Sequence, residues 1–228
     1  MLKIYYHIYA IDGVLDVVYE QFSLIEKYFN FEYELNIGIC SSSDNDALQN
    51  VINYLKTKKC TIRGINNCHS EWVTLNLIES DKITYNDTDI IVYFHTKGIS
   101  HIVNEPNIYK QATTWRKMMD YFFLERIADI VNILSNSVYN IYGVSKHMYD
   151  WEQKNRPGHF HMTANYWGVT GKYAKTIDTT IGNRNIRTDV ENRFWQLGSN
   201  PLPYEAYTAY NKNDIETIYF KREDYEIK

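Results

Sequence analysis

The fold is decided by residues 87–100, whose sequence is Asp-Thr-Asp-Ile-Ile-Val-Tyr-Phe-His-Thr-Lys-Gly-Ile-Ser. Residues 90–94 form a continuous β-branched and aromatic run that is too short for a helix and predicts a strand buried on both faces. Parallel sheets are built from such strands, and ligands bind in the crevice beyond the carboxyl ends of the strands. We therefore expect the polar triplet at residues 95–97 to emerge at such a crevice, with Gly98 permitting a tight exit. The alternative is a buried strand followed by an ordinary turn.

Length and composition restrict the class of protein. The chain has 228 residues, which suits one domain, and its net charge of -4 with a pI near 6.0 does not favour a nucleic-acid polymer as partner. Its three cysteines form an odd set without metal-ligand spacing and favour a reducing compartment. The amino terminus lacks the features of a signal peptide, and no run reaches the roughly 18 apolar residues of a membrane span. We expect a cytoplasmic protein.

Strands and helices alternate along the first half of the chain, which is the pattern of an α/β fold with a parallel sheet and crossover helices. The pattern predicts strands at 3–11, 34–40 and 59–64 and helices at 14–29, 46–56 and 71–79. Residues 101–113 are polar and predict a loop, 114–134 predict the longest helix, and 138–145 predict another strand. No Gly-x-Gly-x-x-Gly or Walker sequence is present, so those two modes of phosphate binding are not supported.

A second informative stretch is residues 159–169, His-Phe-His-Met-Thr-Ala-Asn-Tyr-Trp-Gly-Val. In a strand His159 and His161 would share one face, either as a metal pair or in a hydrogen-bonded structural role. Trp167 before a glycine is either an aromatic plate for a sugar ring or a core residue. Further along, Arg187 and Glu191 have helical i, i+4 spacing, which predicts either a weak surface ion pair of about 0.3–0.5 kcal/mol or an active-site acid.

Together these stretches resemble the GT-A glycosyltransferases of the kind encoded by chlorella viruses, which have relatives in bacteria and large DNA viruses. Residues 93–98, Tyr-Phe-His-Thr-Lys-Gly, resemble the family's "YIHTKG" strand end, and residues 115–122 match its "WRxxMxYF" helix. Residues 161–169 resemble its "HYSGNFWWA" strand, with Thr-Ala in place of Ser-Gly and a glycine in place of the second Trp. Residues 187–191 resemble a later "RxxxE", and the family often has a Glu and a Thr-Leu where Glu71, Thr74 and Leu75 stand.

The resemblance implies an α/β fold of the GT-A type, with a mixed, mostly parallel sheet flanked by helices. It implies a single glycosyltransferase domain over residues 1–228, with a core at about 3–205 and a C-terminal extension at 206–228. The implied activity is transfer of a sugar from a nucleotide-sugar donor, UDP-linked by expectation, to a hydroxyl of a glycan or glycoprotein acceptor. A divalent metal ion, Mn²⁺ or Mg²⁺, is used by some members, and for a viral protein the expected location is the host cytoplasm.

The resemblance also implies roles for individual residues. The nucleotide and its diphosphate would be bound by Ala10, Ile11, Arg63, Thr74, His95, Thr96 and Lys97. The sugar or acceptor would be bound by His161, Asn165, Trp167 and Arg187. The base that deprotonates the acceptor would be Glu191 or, as the second choice, Asp189.

Metal binding is the least determined of these roles. Most GT-A enzymes hold a divalent cation through Asp-x-Asp at the end of this strand, where the present chain has residues 95–97, His-Thr-Lys. Lys97 can neutralise a phosphate as a point charge, and His95 can donate a hydrogen bond or bind a metal. Residues 87–89, Asp-Thr-Asp, match the motif as text, but we expect them at the amino end of the strand, on the wrong side of the sheet.

Two other functions remain open from the sequence. The missing Asp-x-Asp favours a catalytically inactive GT-A-like module that binds a nucleotide or glycan. A metal-dependent hydrolase built on His95, His159 and His161 would need all three imidazoles around one ion. Retention or inversion of stereochemistry does not follow from the motifs.

Overall fold

The fold is of the α/β class, and its central element is one mixed, mostly parallel sheet with helices on both faces. The computed structural model describes residues 1–41, 46–67, 71–96, 98–101, 105–144, 146–147, 161–162, 165–176, 205–209 and 221–226. The strands are β1 Leu2–Tyr9, β2 Tyr33–Cys40, β3 Thr61–Asn66, β4 Ile90–His95, β5 Tyr139–Gly143, β6 Lys146–His147, β7 His161–Met162, β8 Trp167–Thr170 and β9 Glu205–Thr208. The helices are α1 Val14–Tyr28, α2 Asp46–Leu55, α3 Trp72–Asp81, α4 Pro106–Asp120, α5 Ile127–Asn136 and the short α6 Gly171–Ala174.

Seven of the described strands form the sheet, in the order β3-β2-β1-β4-β8-β5-β9. The strands β1 to β4 are parallel to one another, β8 is antiparallel to both β4 and β5, and β9 is parallel to β5. The short strands β6 and β7 pair with each other apart from this sheet. The predicted α/β class with a mostly parallel sheet is therefore confirmed.

Strand β4 is buried on both faces, as its continuous apolar sequence predicts. Val92 and Phe94 belong to the core that the sheet shares with α1, α2, α4 and α5, whereas Ile91 and Tyr93 belong to a smaller core shared with α3 and α6. The same alternation in β1 places Tyr5 on the α3 face. Because side chains alternate along a strand, His95 also lies on the α3 face of β4.

The structure corrects the prediction for residues 101–134. Instead of a loop to residue 113 followed by one long helix, α4 already begins at Pro106. Proline suits the first turn of a helix because its fixed φ is helical and its missing N–H would have no partner there. A π-helical turn at Tyr121–Glu125 then separates α4 from α5.

The predicted third strand also has different bounds. Strand β3 runs to Asn66 rather than Gly64, with an irregularity in its pairing to β2 between Ile37 and Gly38. The predicted strand at 59–64 would place Arg63 next to its last residue, whereas Arg63 lies in the middle of β3. The predicted strand over 138–145 is confirmed in its middle part, as β5.

Gly98 has the backbone conformation that the sequence predicts for the exit of β4. Its φ is +81°, and a Cβ at this position would stand 2.4 Å from Cβ of Ala112 in α4. Only glycine combines a left-handed conformation with so close an approach. The chain therefore turns sharply out of β4 and passes directly against α4. None of the helices described is long and apolar enough to cross a membrane.

Candidate functional site

Polar side chains converge where the central strands end. His7 in β1 and His95 in β4 are cross-strand partners in the parallel ladder, and both lie on the α3 face. Helix α3 runs along this face with its first turn beside the strand ends, because Thr74 contacts His7 and Glu71 contacts His95. The site is thus formed by the ends of two central strands and the beginning of one helix. This is the carboxyl edge at which open α/β sheets bind ligands.

Glu71 is the acceptor at the centre of this group. Its Oε2 accepts hydrogen bonds from the Tyr93 hydroxyl and the Asn165 Nδ2 group, and its Oε1 lies 3.6 Å from Nδ1 of His95. Glu71 is the N-cap residue of α3, where the partial positive charge of the helix favours a carboxylate. Three segments far apart in sequence therefore meet at one carboxyl group.

His7 is held by groups on both sides of its ring. Its Nδ1 lies 2.9 Å from the Thr74 hydroxyl, and its Nε2 lies 3.4 Å from Sγ of Cys40. Burial lowers the pKa of the His7 imidazole to about 4, so the ring is neutral at physiological pH. A Cβ on Gly38 would lie 2.2 Å from the Thr74 hydroxyl oxygen, so glycine at this position lets α3 approach β2 closely enough for the Thr74–His7 contact.

Thr96 links the ends of β1 and β4 through both its backbone and its side chain. Its backbone N–H donates to the carbonyl of His7 at 3.1 Å, and its hydroxyl oxygen accepts from the backbone N–H of Tyr9 at 3.0 Å. These bonds continue the parallel ladder one residue beyond β4 and fix the point at which the chain leaves the sheet.

His95 itself is only 7% exposed. Its ring lies nearly parallel to that of Tyr93 and meets the ring of Tyr166 edge-on. Its carbonyl accepts a hydrogen bond from the Tyr166 hydroxyl. The sequence suggests an imidazole open at a rim, whereas the structure places it inside, facing a carboxylate.

A buried polar network supports the His95 backbone from the opposite face of the sheet. The Gln21 Nε2 group donates to Asp120 at 2.8 Å, to the Tyr166 hydroxyl at 3.0 Å and more weakly to the His95 carbonyl at 3.4 Å. The guanidinium of Arg116 lies 3.8 Å from the Asp120 carboxylate. Burial raises the pKa of the Asp120 carboxyl to about 7, against the opposing effect of Arg116.

Asn165 and Trp167 take different positions although they are two residues apart. Asn165 has a φ of +54°, a left-handed conformation in which asparagine is enriched, and its side chain turns to Glu71. Trp167 is fully buried and stacks on Tyr93 with ring centroids 5.1 Å apart. Trp167 is therefore a core residue in this structure, and Asn165 is the member of the pair that reaches the site.

The predicted nucleotide-binding residues separate into two groups. Thr74, His95 and Thr96 lie together, and Ala10 adjoins them just beyond β1, where its N–H donates to the Cys40 carbonyl at 2.7 Å. Ile11 follows Ala10 and is partly exposed.

Arg63 stands apart from this group. Its guanidinium binds both carboxylate oxygens of Asp81, at 3.1 and 3.0 Å, and also contacts Asn36. Since Asp81 is the last residue of α3, Arg63 lies toward the opposite end of that helix from the site.

Five of the predicted residues cannot be placed in this geometry. Lys97, Arg187, Asp189 and Glu191 lie outside the described residues, and for His161 only the backbone, in β7, is described. The site as described is therefore the part contributed by β1, β4, α3 and Asn165.

Residues 87–89 lie at the amino end of β4, as expected. The Asp89 carboxylate accepts from the backbone N–H of Asn86 at 2.8 Å, and Asp87 pairs with Lys175 at 2.7 Å. Both aspartates therefore make local contacts at the amino end of β4, at the edge of the sheet opposite the site. Within the described ranges, no three His, Cys, Asp or Glu side chains come together in a way that could hold a metal ion.

Sequence reasoning missed several residues of the site. His7 and Gln21 carry a recognisable signal, since each is a polar residue within an apolar strand or helix face that proves to be buried. Cys40 and Asp120 carry no such signal, because a thiol and an occasional helix carboxylate are ordinary in these settings.

A search against models of protein families finds no match to this chain, and a search of curated proteins finds no significantly similar relative.

Proposed function

We propose that the chain is a glycosyltransferase that moves a sugar from a nucleotide-sugar donor, UDP-linked by preference, to a hydroxyl of a glycan or glycoprotein acceptor. The observation that carries the proposal is the cluster of Glu71, His95 and Asn165 at the carboxyl edge of the central strands. A mixed sheet with helices on both faces is compatible with the GT-A scaffold that the sequence motifs resemble.

The reaction needs charge compensation where the nucleoside diphosphate leaves. The end of β4 at Thr96, where the chain leaves the sheet, is the edge at which open α/β sheets bind ligands. Lys97, next after Thr96 in the sequence, would add a full positive charge, and such electrostatic stabilisation is usually the largest catalytic contribution.

The reaction also needs a base within reach of the acceptor hydroxyl. Glu191, or Asp189 as the second choice, is proposed for this role on the sequence motif alone. No step is assigned to a metal ion, because the described residues do not form a ligand set for one. Whether nucleotide binding requires Mn²⁺ is tested by measuring each nucleotide with and without the ion.

Nucleotide binding is the first test. In a thermal-shift screen of UDP, GDP, CMP and dTDP, each with and without Mn²⁺, we expect UDP to stabilise the protein most. A ligand present at a hundred times its Kd stabilises by about 2.7 kcal/mol, which gives a clear rise in Tm. If none of the four nucleotides raises Tm under either condition, the proposal is wrong.

Turnover separates an enzyme from an inactive binding module. We expect release of UDP from UDP-sugars by the wild type, and a rate about 10- to 100-fold lower for Lys97→Ala, the size expected for loss of a charge-assisted contact to phosphate. Lys56→Ala, an exposed lysine beyond α2, is the matched control and should keep the wild-type rate. Nucleotide binding without turnover of any nucleotide sugar would identify the inactive module instead.

A further inference from the structure

The two oxygens of the Glu71 carboxylate have different surroundings. Oε2 accepts hydrogen bonds from both Tyr93 and Asn165, whereas Oε1 is 3.6 Å from Nδ1 of His95, which is beyond hydrogen-bond length. An ionised carboxylate has about four acceptor positions. Among the described residues, Oε1 therefore retains the capacity to accept a hydrogen bond.

Asn165 brings a second acceptor to the same place. The residue is only 4% exposed, and its Oδ1 is buried without a hydrogen-bond partner among the described residues. The orientation of the amide is set by Glu71, because only the Nδ2 group can donate to a carboxylate. Since Oδ1 and Nδ2 share one carbon, Oδ1 lies within a few ångströms of the carboxylate.

Two neighbouring acceptors define the chemistry of what they bind. Burying an acceptor costs free energy unless a donor satisfies it. A phosphate offers further acceptors and negative charge, which the Glu71 carboxylate would repel. A sugar hydroxyl offers an O–H donor without charge and fits both oxygens.

We propose that Glu71 Oε1 and Asn165 Oδ1 bind the hydroxyl groups of a neutral sugar ring. Tyr93 positions the carboxylate from β4, and the left-handed backbone of Asn165 directs its amide toward the start of α3. The diphosphate of a nucleotide sugar then lies away from Glu71. The inference rests on the proposed function only for the source of the ring, which is either the donor sugar or the acceptor glycan.

The test compares affinities of Glu71→Gln and wild type by calorimetry. The probes are UDP, a set of UDP-hexoses, and a set of methyl glycosides at millimolar concentration. In Glu71→Gln the single side-chain oxygen is expected at the position of Oε2, because Tyr93 and Asn165 both donate there. The amide NH₂ then stands at the position of Oε1, so that a donor replaces an acceptor. We expect the affinity for the sugar-bearing probe to fall at least about tenfold, which corresponds to about 1.4 kcal/mol, with the affinity for UDP unchanged.

Glu79→Gln is the matched control, because it makes the same chemical change near the other end of α3, where Glu79 pairs with Lys82. Wild-type affinities are expected for this variant. Circular dichroism and Tm of both variants show whether each is folded. Should Glu71→Gln fail to fold, Asn165→Gly supplies the same comparison, since glycine accepts the left-handed conformation and removes Oδ1.

The outcomes separate this inference from the proposed function. A selective loss with UDP-hexoses assigns the site to the donor, and a selective loss with methyl glycosides assigns it to the acceptor. Sugar binding that depends on Glu71 without any nucleotide binding would support the sugar site and refute the transferase. An equal loss for UDP and UDP-hexoses, no loss at all, or no binding of any sugar-bearing probe by the wild type would overturn the inference.

Discussion

Asp120 carries its carboxyl group in the interior, 2% exposed, behind the strand end that bears His95. Its Oδ1 accepts from Gln21 and lies 3.3 Å from the Tyr166 hydroxyl, whose proton is donated to the His95 carbonyl, and its Oδ2 faces Arg116 without a hydrogen bond from the described residues. Desolvation outweighs the attraction of the guanidinium, so the pKa of the Asp120 carboxyl rises from 3.8 to about 7. Between these two pH values the Asp120 carboxyl therefore holds a proton in the folded protein that it releases in the unfolded chain.

This shift predicts that Asp120 makes the folded state less stable as pH rises. Between about pH 4 and pH 7 the folded state binds more protons at this group than the unfolded state does, so its contribution to the unfolding free energy falls with rising pH. Asp120→Asn removes the group that titrates and keeps an acceptor for Gln21. We expect the difference in unfolding free energy to move in favour of the variant by about 1–3 kcal/mol from pH 5 to pH 8.

Urea unfolding of both proteins at several pH values measures this difference. The pH profile of the wild type must be compared with that of the variant, because the contribution of His7 to the unfolding free energy rises with pH, whereas that of Asp120 falls. The lowered His7 pKa of about 4 means that stability is lost as pH falls from 6.5 toward 4. Parallel pH profiles for wild type and Asp120→Asn would show that Asp120 does not titrate as described.

At the scale of elements, helix α3 is held against the sheet at two glycines. A Cβ on Gly38 would lie 2.2 Å from the Thr74 hydroxyl oxygen and 3.0 Å from its Cα, whereas a Cβ on Gly64 would meet only a methyl group of Val73, at 2.9 Å. Side-chain methyl groups adjust by rotation, but the helix backbone at Thr74 does not. The first turn of α3, which bears Glu71, therefore depends on Gly38.

These contacts predict unequal costs for two identical substitutions. Gly38→Ala should destabilise the protein by about 1–3 kcal/mol, because it forces α3 away from β2. Gly64→Ala should cost less than about 1 kcal/mol, because the clash is with a rotatable side chain and alanine reduces the flexibility of the unfolded chain. The midpoints of urea unfolding give both values. Equal costs would mean that the close approach at Gly38 does not position α3.

At the scale of the whole molecule, the sheet separates two cores of different size. The larger core fills the face under α1, α2, α4 and α5, and the smaller one fills the face under α3 and α6. Strands β1 and β4 are adjacent at the centre and contribute side chains to both cores. Strand β3 pairs only with β2 among the described strands, and its side chains are partly or fully exposed.

This arrangement predicts a gradient of amide exchange across the sheet. The backbone amides of β1 and β4 should exchange most slowly, through global unfolding, and those of β3 should exchange through smaller openings with lower free energy. Hydrogen–deuterium exchange followed by mass spectrometry or NMR measures the difference. Equal protection of β3 and β4 would indicate that the sheet unfolds as one unit or that β3 is covered.

The sequence determined the α/β class, the order of the early strands and helices, the fully buried β4 and its abrupt end at residues 95–98. These features follow from local patterns, since the period of apolar residues reports which faces are buried, and glycine reports where the backbone turns sharply. The predicted start of the helix, at residue 114, was wrong because the polar residues 101–113 show no apolar period. Pro106, which suits the first turn of a helix, is where α4 begins.

Only the tertiary structure decided which residues meet at the site. Asn165 and Glu71 are 94 residues apart, and His7 meets His95 through the register of β1 and β4. No local pattern encodes such contacts, because register and helix placement depend on the packing of the whole sheet. The same packing buried Trp167 in the core and paired Arg63 with Asp81. The side chains that stand at the end of the central strands are therefore the Glu71 carboxylate and the Asn165 amide.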